Sequence, residues 1–232
     1  MSRIVRISAL VLGCVFFVNL PVAFAQHKEI AKVYQSMQVL NEIMAIPEGG
    51  IPESLLRSSY GVAIFPGLLK AGFIVGARYG GGVMMVRSDQ QGWSNPVFFT
   101  LIGGSIGWQI GAQSTDIILV FRTIQSLDAI TSGKFTLGAD ASVAAGPVGR
   151  HASAETDLNF SAEILSYSRS RGLFAGLSVE GAALQVDYDA NESFYARPAI
   201  LPMQIFRTYD MQVPPAADEL KKTLRSYSGP RP

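Results

Sequence analysis

Lys70-Ala71-Gly72-Phe73, then Gly103-Gly104-Ser105-Ile106-Gly107-Trp108-Gln109-Ile110-Gly111, then Thr115-Asp116 followed by Ile117-Ile118-Leu119-Val120-Phe121: this glycine-punctuated apolar run decides the fold. Between Arg87 and Asp116 the one charged residue is Asp89, so the stretch is either buried or in contact with something other than water. A membrane-spanning helix needs about 20 mostly apolar residues in succession. Here Gly92, Pro96, Gly103, Gly104, Gly107 and Gly111 interrupt the run, and each glycine inside a helix costs roughly 1 kcal/mol relative to alanine. The residues therefore read as strands and tight corners.

Outward from this run the same reading continues. Val62 to Phe65, Phe73 to Gly76, Val83 to Val86 and Val97 to Ile102 have strand composition, and so do Phe135 to Ala145, Ala152 to Asp157, Ile164 to Ser168, Phe174 to Val179 and Ala182 to Val186. Glycine in such strands marks bends, bulges and close approaches. Ile30, Val33, Met37, Leu40, Ile43 and Met44 fall at helical spacing, which predicts an amphipathic helix ended by Pro47-Glu48-Gly49-Gly50. Short helices fit Pro52 to Arg57 and Ile124 to Ile130. From Pro198, prolines 202, 214 and 215 break the chain into a tail in which Asp218 to Tyr227 forms a short helix, with a loose end after Ser228. The fold class expected is α+β: a curved antiparallel β-sheet or partial barrel with flanking N- and C-terminal helices, as one domain over 26–197 and a Pro-rich tail over 198–232.

The order of these motifs resembles a known family. Lys70-Ala71-Gly72-Phe73, Gly80-Gly81-Gly82-Val83, Trp93-Ser94-Asn95-Pro96, the glycines from Gly103 to Gly111, Gly138-Ala139-Asp140, Gly146-Pro147-Val148-Gly149-Arg150 and Tyr167-Ser168-Arg169-Ser170-Arg171-Gly172-Leu173-Phe174-Ala175-Gly176 are similar to the SYLF domain, also called Ysc84-like or DUF500. The similarity runs from about Ile51 to Tyr195. It implies a lipid-binding module, tied in eukaryotic members to phosphoinositides and to actin, and found in bacteria as secreted or lipoprotein forms. The eukaryotic forms carry a more basic N-terminal segment than Lys28 and Lys32 supply here.

Residues 1–25 read as a secretory signal peptide: Arg3 and Arg6, an apolar core from Ile7 to Leu20, and Ala23-Phe24-Ala25 before a cleavage point at Ala25-Gln26. Cys14, the single cysteine, lies inside that apolar core, which argues against lipoprotein processing there. A mature chain without thiol suits an oxidising compartment and excludes disulfides and thiol catalysis. The whole sequence has 19 basic and 18 acidic residues; without Arg3 and Arg6 the balance is 17 to 18, a formal charge of −1. That near-neutral surface gives no electrostatic case for nucleic acid.

Catalytic signatures are sparse. His27 and His151 are the two histidines, and no zinc-protease motif, nucleophile elbow or phosphate loop is present. Gly80-Gly81-Gly82 lacks the lysine and helix start that hold phosphate, and reads as a strand corner. Asp116, Asp128, Asp140 and Asp157 read as turn residues, and Asp187-Tyr188-Asp189-Ala190-Asn191-Glu192 as an acidic hairpin turn rather than a calcium loop. No enzyme activity, cofactor or metal is expected.

Three features suit lipid: the amphipathic helix from Lys28 to Met44; the cations Lys70, Arg78 and Arg87 beside glycine-rich strands; and Arg150, Arg169 and Arg171 near Tyr167 and Phe174. The expectation is a non-catalytic lipid-binding protein of the bacterial cell envelope, periplasmic or secreted. Lys70, Arg78, Arg150 and Arg171 would contact anionic phospholipid headgroups or a membrane surface. The alternative is an envelope structural protein binding a protein partner through its exposed helix and tail. Actin is not carried over, because a periplasm holds none.

Overall fold

A computed structural model describes residues 26–46, 50–107, 113–130, 134–147, 162–170, 173–175 and 179–230. The signal segment with Cys14, the strand expected at Ala152 to Asp157, His151, Arg150 and Arg171 lie outside the described residues.

The chain is α+β, and its centre is one 28-residue strand, β1 (Gly61–Ser88). The segments expected as separate strands at 62–65, 73–76 and 83–86 are parts of it, because glycine lets a strand bend without ending. Its first part pairs antiparallel with β4 (Gln113–Phe121), from Gly61 opposite Phe121 to Lys70 opposite Gln113. Its second part pairs antiparallel with β3 (Val97–Gly107), from Ile74 opposite Gly107 to Met84 opposite Val97. Between these pairings the strand folds back on itself. The Arg87 N–H donates to the Tyr60 carbonyl at 2.8 Å. Further along, the Gly82 Cα faces the backbone of Ile64 and Phe65 so closely that a Cβ there would lie 2.2 Å from the Ile64 carbonyl oxygen.

A bulge between Phe65 and Leu68 aids this curl. Pro66 withholds a donor there, and Gly67 takes φ +62°, which side chains disfavour. The rest of the sheet grows outward from β1. With β5 (Lys134–Thr136), β6 (Val143–Ala145), β7 (Ile164–Ser170) and β9 (Ala183–Val186), the strand order is β5-β9-β3-β1-β4-β7-β6. Two short strands, β2 (Gly92–Trp93) and β8 (Leu173–Ala175), pair with β1 and β7. The ladders are antiparallel save β6 with β7.

Helix α1 (residues 26–44) lays its apolar stripe on the core: Val33, Val39, Leu40 and Ile43 are buried, and Ile30, Met37 and Met44 pack beside them. Burial of such a side chain contributes about 1.5–3 kcal/mol. Four of them give a gross contribution of about 6–12 kcal/mol, on the scale of a whole domain's stability. The stripe is therefore not a free membrane-binding face, which corrects the first of the three lipid features.

The other helices are α2 (Glu53–Ser58), α3 (Ile124–Ile130), α4 (Tyr188–Tyr195), α5 (Pro202–Arg207) and α6 (Pro215–Ser228). The acidic segment from Asp187 is not a hairpin turn but the start of α4. Asp187 caps it, accepting from the Ala190 N–H at 3.0 Å, as a short acidic side chain does at a helix N-terminus. Buried Asn191 then fixes α4 to β3: its Oδ1 accepts from the Phe98 N–H at 2.9 Å and its Nδ2 donates to the Phe98 carbonyl at 3.1 Å. The prolines after 198 begin helices instead of breaking them: Pro202 and Pro215 each occupy a first turn, where their missing N–H has no partner to lose. Ile205, Phe206, Leu220 and Leu224 from this region join the common core.

The fold-back makes a specific demand on Gly82. Gly82→Ala must displace backbone, and a loss of at least about 3 kcal/mol, or failure to fold, is expected in denaturant titration. Gly104→Ala meets nothing within 4 Å and should be neutral or stabilising by up to about 1 kcal/mol. Equal midpoints for the two variants would refute the close-packed fold-back.

Candidate functional site

The two ends of β1 define one pole of the molecule, and its glycine-rich middle defines the other. Of the cations expected to meet headgroups, Lys70 stands on the β1 backbone opposite Gln113, and Arg78 opposite Gly103. β7 ends at Ser170, opposite Thr115, at this same end of the sheet. The structure thus brings Lys70 and Arg78 onto one pole; Arg150 and Arg171 are outside the described residues. Burial pulls the half-buried Arg78 guanidinium below its ordinary value, and it stays cationic at neutral pH because that ordinary value is so high.

Large apolar side chains are exposed at the same end of the sheet. Tyr79 is 60% exposed and Leu69 59% exposed. Ile102, the ladder partner of Tyr79, is 38% exposed. A Cβ on Gly80 would touch Leu68 at 3.1 Å, so Leu69 and Tyr79 each stand one residue beyond a contact between the two arms of β1. Residue composition flagged the arginine; the three exposed apolar partners were missed, since period-two alternation does not say which face of a sheet is covered.

Arg87 belongs elsewhere. It is buried at the opposite pole, where its guanidinium donates to the carbonyls of Leu56 at 3.4 Å, Arg57 at 3.1 Å and Gly229. It also lies over the Trp93 ring at 5.4 Å, and the Trp93 indole N–H donates to Ser228 Oγ at 3.0 Å. A cation here satisfies carbonyls at the C-terminal ends of α2 and α6. Its expected place on the lipid surface is corrected accordingly, and so is the loose end expected after Ser228: Gly229 is held.

Arg169 is likewise engaged. It pairs with Glu42 of α1 and with Asp116 of β4, the latter at 2.9 Å. Asp116 Oδ1 in turn accepts the Gly67 N–H at 2.9 Å, so this chain of contacts ties α1 to the β1 bulge. The Gln38 amide, 2.8 Å away, and then Arg169 hold the Glu42 carboxyl below its ordinary pKa against the opposing effect of burial. The bond to Asp116, and after it the bond to Glu42, push the pKa of the Arg169 guanidinium up. Asp140 bonds the Thr136 N–H within its turn. Among the described residues no group of three or more potential metal ligands comes together, and no helix is long and apolar enough to cross a membrane.

Residues 102–227 match the Ysc84 family, described as "Las17-binding protein actin regulator". The chain belongs to the Ysc84 family. Protein YSC84 of Saccharomyces cerevisiae is 34% identical over 205 residues, covering 87% of this chain and 43% of its own. LAS seventeen-binding protein 3 of the same yeast is 34% identical over 205 residues, covering 87% and 44%. SH3 domain-containing YSC84-like protein 1 of Homo sapiens is 31% identical over 218 residues, covering 90% and 61%. The chain thus spans about half the length of the curated relatives it matches. The Ysc84 match extends through α5 and into α6, past the Tyr195 limit of the motif resemblance. The family is named for binding and regulation rather than for a reaction.

In this Ysc84 chain the Glu42 contact makes a pH-dependent contribution to stability. A carboxyl whose folded value is lowered stabilises the fold fully above the ordinary glutamate value of 4.5 and loses that contribution as pH falls through the folded value. Glu42→Gln should therefore destabilise by about 1 kcal/mol at neutral pH, the scale of a partly exposed pair. The gap from wild type should close on acidification below 4.5. Thermal melts at several pH values test this, and a gap that widens in acid would contradict it.

Proposed function

We propose that this chain is a non-catalytic lipid-binding protein of the bacterial cell envelope, periplasmic or secreted after cleavage at Ala25-Gln26. The glycine-rich pole of β1 would be its contact with anionic phospholipid. The observation that carries this reading is the exposure of Leu69, Tyr79 and Ile102 at the end of the sheet that also carries Arg78. Apolar side chains at a rim of cations enter the headgroup boundary while the cations meet phosphate. Lys70, Arg150 and Arg171 are assigned to the same contact. Membership of a family named for binding supports a binding role of this kind.

A second reading is favoured by the relatives' names. Proteins named as Las17-binding and actin-regulating suggest a protein partner for this domain as well. In an envelope compartment that partner would be an envelope protein, not actin. Its selective co-purification, lost on deleting 198–232, would favour this alternative only if a folding control shows the shortened chain intact, because that region shares the core.

The lipid reading is tested by co-sedimentation of residues 26–232 with vesicles of phosphatidylglycerol and phosphatidylcholine, against phosphatidylcholine alone, across a salt series. Binding should need the anionic lipid and weaken with salt. Leu69→Ser with Tyr79→Ser should weaken it at least about tenfold, given about 1.5–3 kcal/mol for each large apolar side chain fully buried. Replacement of Lys70, Arg78, Arg150 and Arg171 by glutamine should abolish the salt dependence. Binding indifferent to both sets of substitutions would refute the assignment.

A further inference from the structure

At the pole opposite the proposed lipid contact, a cavity of about 440 Å³ opens between the end of β1, α3 and α5. Its size falls within the range of small-molecule sites, about 300–1,000 Å³. Val86, Ile124, Leu127, Met203 and Phe206 form an apolar wall contributed by all three elements. This wall is not closed by the fold. Ile124 is 51% exposed, and Val86, Leu127 and Met203 are only partly buried. Water in such a concavity meets apolar surface on several sides, and an apolar body displacing it is favoured. Met203 adds a side chain that adapts to irregular shapes.

The rim supplies charge. Arg207, in the last turn of α5, lines the cavity with an exposed guanidinium. Its side chain has no ion pair or hydrogen bond among the described residues. Arg87 adds positive charge from within the wall while its own donors serve backbone carbonyls. Tyr209 and Ser88 add hydroxyls to the same rim. Asp89 is the one acid lining the cavity, so a single negative charge is welcome and a second would be opposed. A planar carboxylate matches a guanidinium fork through two parallel hydrogen bonds.

We infer that this cavity is a binding site for an amphipathic monocarboxylate of the medium-chain fatty acid class, its chain on the wall of α3 and α5 and its carboxylate on Arg207. The site is separate from the membrane contact and does not rest on it. It binds a dispersed ligand, whereas the glycine-rich pole would meet a lipid surface.

Calorimetric titration of residues 26–232 with decanoate, kept below its micelle concentration, tests the assignment. Saturable one-to-one binding is expected, with none for decyltrimethylammonium, whose chain is the same and whose charge is opposite. Arg207→Glu and Ile124→Asp alter exposed side chains, and each should weaken decanoate at least tenfold while leaving vesicle co-sedimentation unchanged. In the wild-type chain, decanoate should shift the Met203 methyl resonance, a readout that needs no variant. Absence of saturable decanoate binding, equal binding of the two surfactants, or a Met203 resonance unmoved at saturation would each overturn the inference. Loss of vesicle binding in Leu69→Ser with Tyr79→Ser, with decanoate binding intact, would support two separate sites.

Discussion

The close approach of Gly82 to the backbone of Ile64 and Phe65 is the constraint on which the rest of the structure depends. It lets a single strand supply two arms, each with its own ladder partner, so the sheet extends from β1 to β4 on one side and to β3 on the other. A side chain at position 82 would hold the arms apart, and the curl would open. The same fold-back creates two poles with different chemistry. Where the ends of the strand meet, Arg87 gathers carbonyls from α2 and from the end of α6. Beside the turn-around, Leu69 and Tyr79 are left outside the core.

That division bears on which surface the proposed membrane contact would use. The amphipathic helix would be the obvious candidate from its stripe alone, since the same pattern suits an interfacial helix and a core helix. Magnitude decides between them. Releasing α1 would expose Val33, Val39, Leu40 and Ile43 and break the contact of Glu42 with Arg169, at a cost comparable to the stability of a domain. Leu69, Tyr79 and Ile102 would need no such rearrangement to meet a bilayer. Their exposure is already part of the folded state, as is characteristic of surfaces that bind.

Much of the fold is legible in the sequence, and the failures have specific physical causes. Periodicity places α1 and α3 well, because each has a clear apolar stripe or a clear stop. The strands from Val97 and Ile117 are found for the same reason, although both extend beyond the strongly apolar residues. The continuity of β1 is hidden: glycine looks like punctuation in one dimension and acts as permission to bend in three. Proline misleads similarly after 198, where the question is whether it falls in a first turn, and Pro202 and Pro215 do. The acidic run from Asp187 is read as a turn from its composition, yet its first residue is a cap and Asn191 is a buried clamp. Caps announce themselves only when the following stripe is recognised, and α4 is too short to display one.

The candidate site is the least legible part, because an arginine's role is fixed by how many acceptors converge on it. Arg87 finds three carbonyls and an indole face, and is structural. Arg169 finds two carboxylates from different elements, and holds a helix to the sheet. Apart from Trp93, the partner of Arg87 across β2, these contacts come from residues distant in sequence, so adjacency to glycine or tyrosine assigns both arginines wrongly to a binding surface. Arg78 lies at an end of the sheet, and Arg207 at a cavity, where apolar side chains remain exposed to solvent. A cation beside unburied apolar surface is a recognition feature for amphipathic anions, since one ligand can satisfy both. The difference between the two lies in shape. The proposed lipid contact would present Leu69 and Tyr79 to an extended surface, while the cavity beside α5 would take up a single molecule.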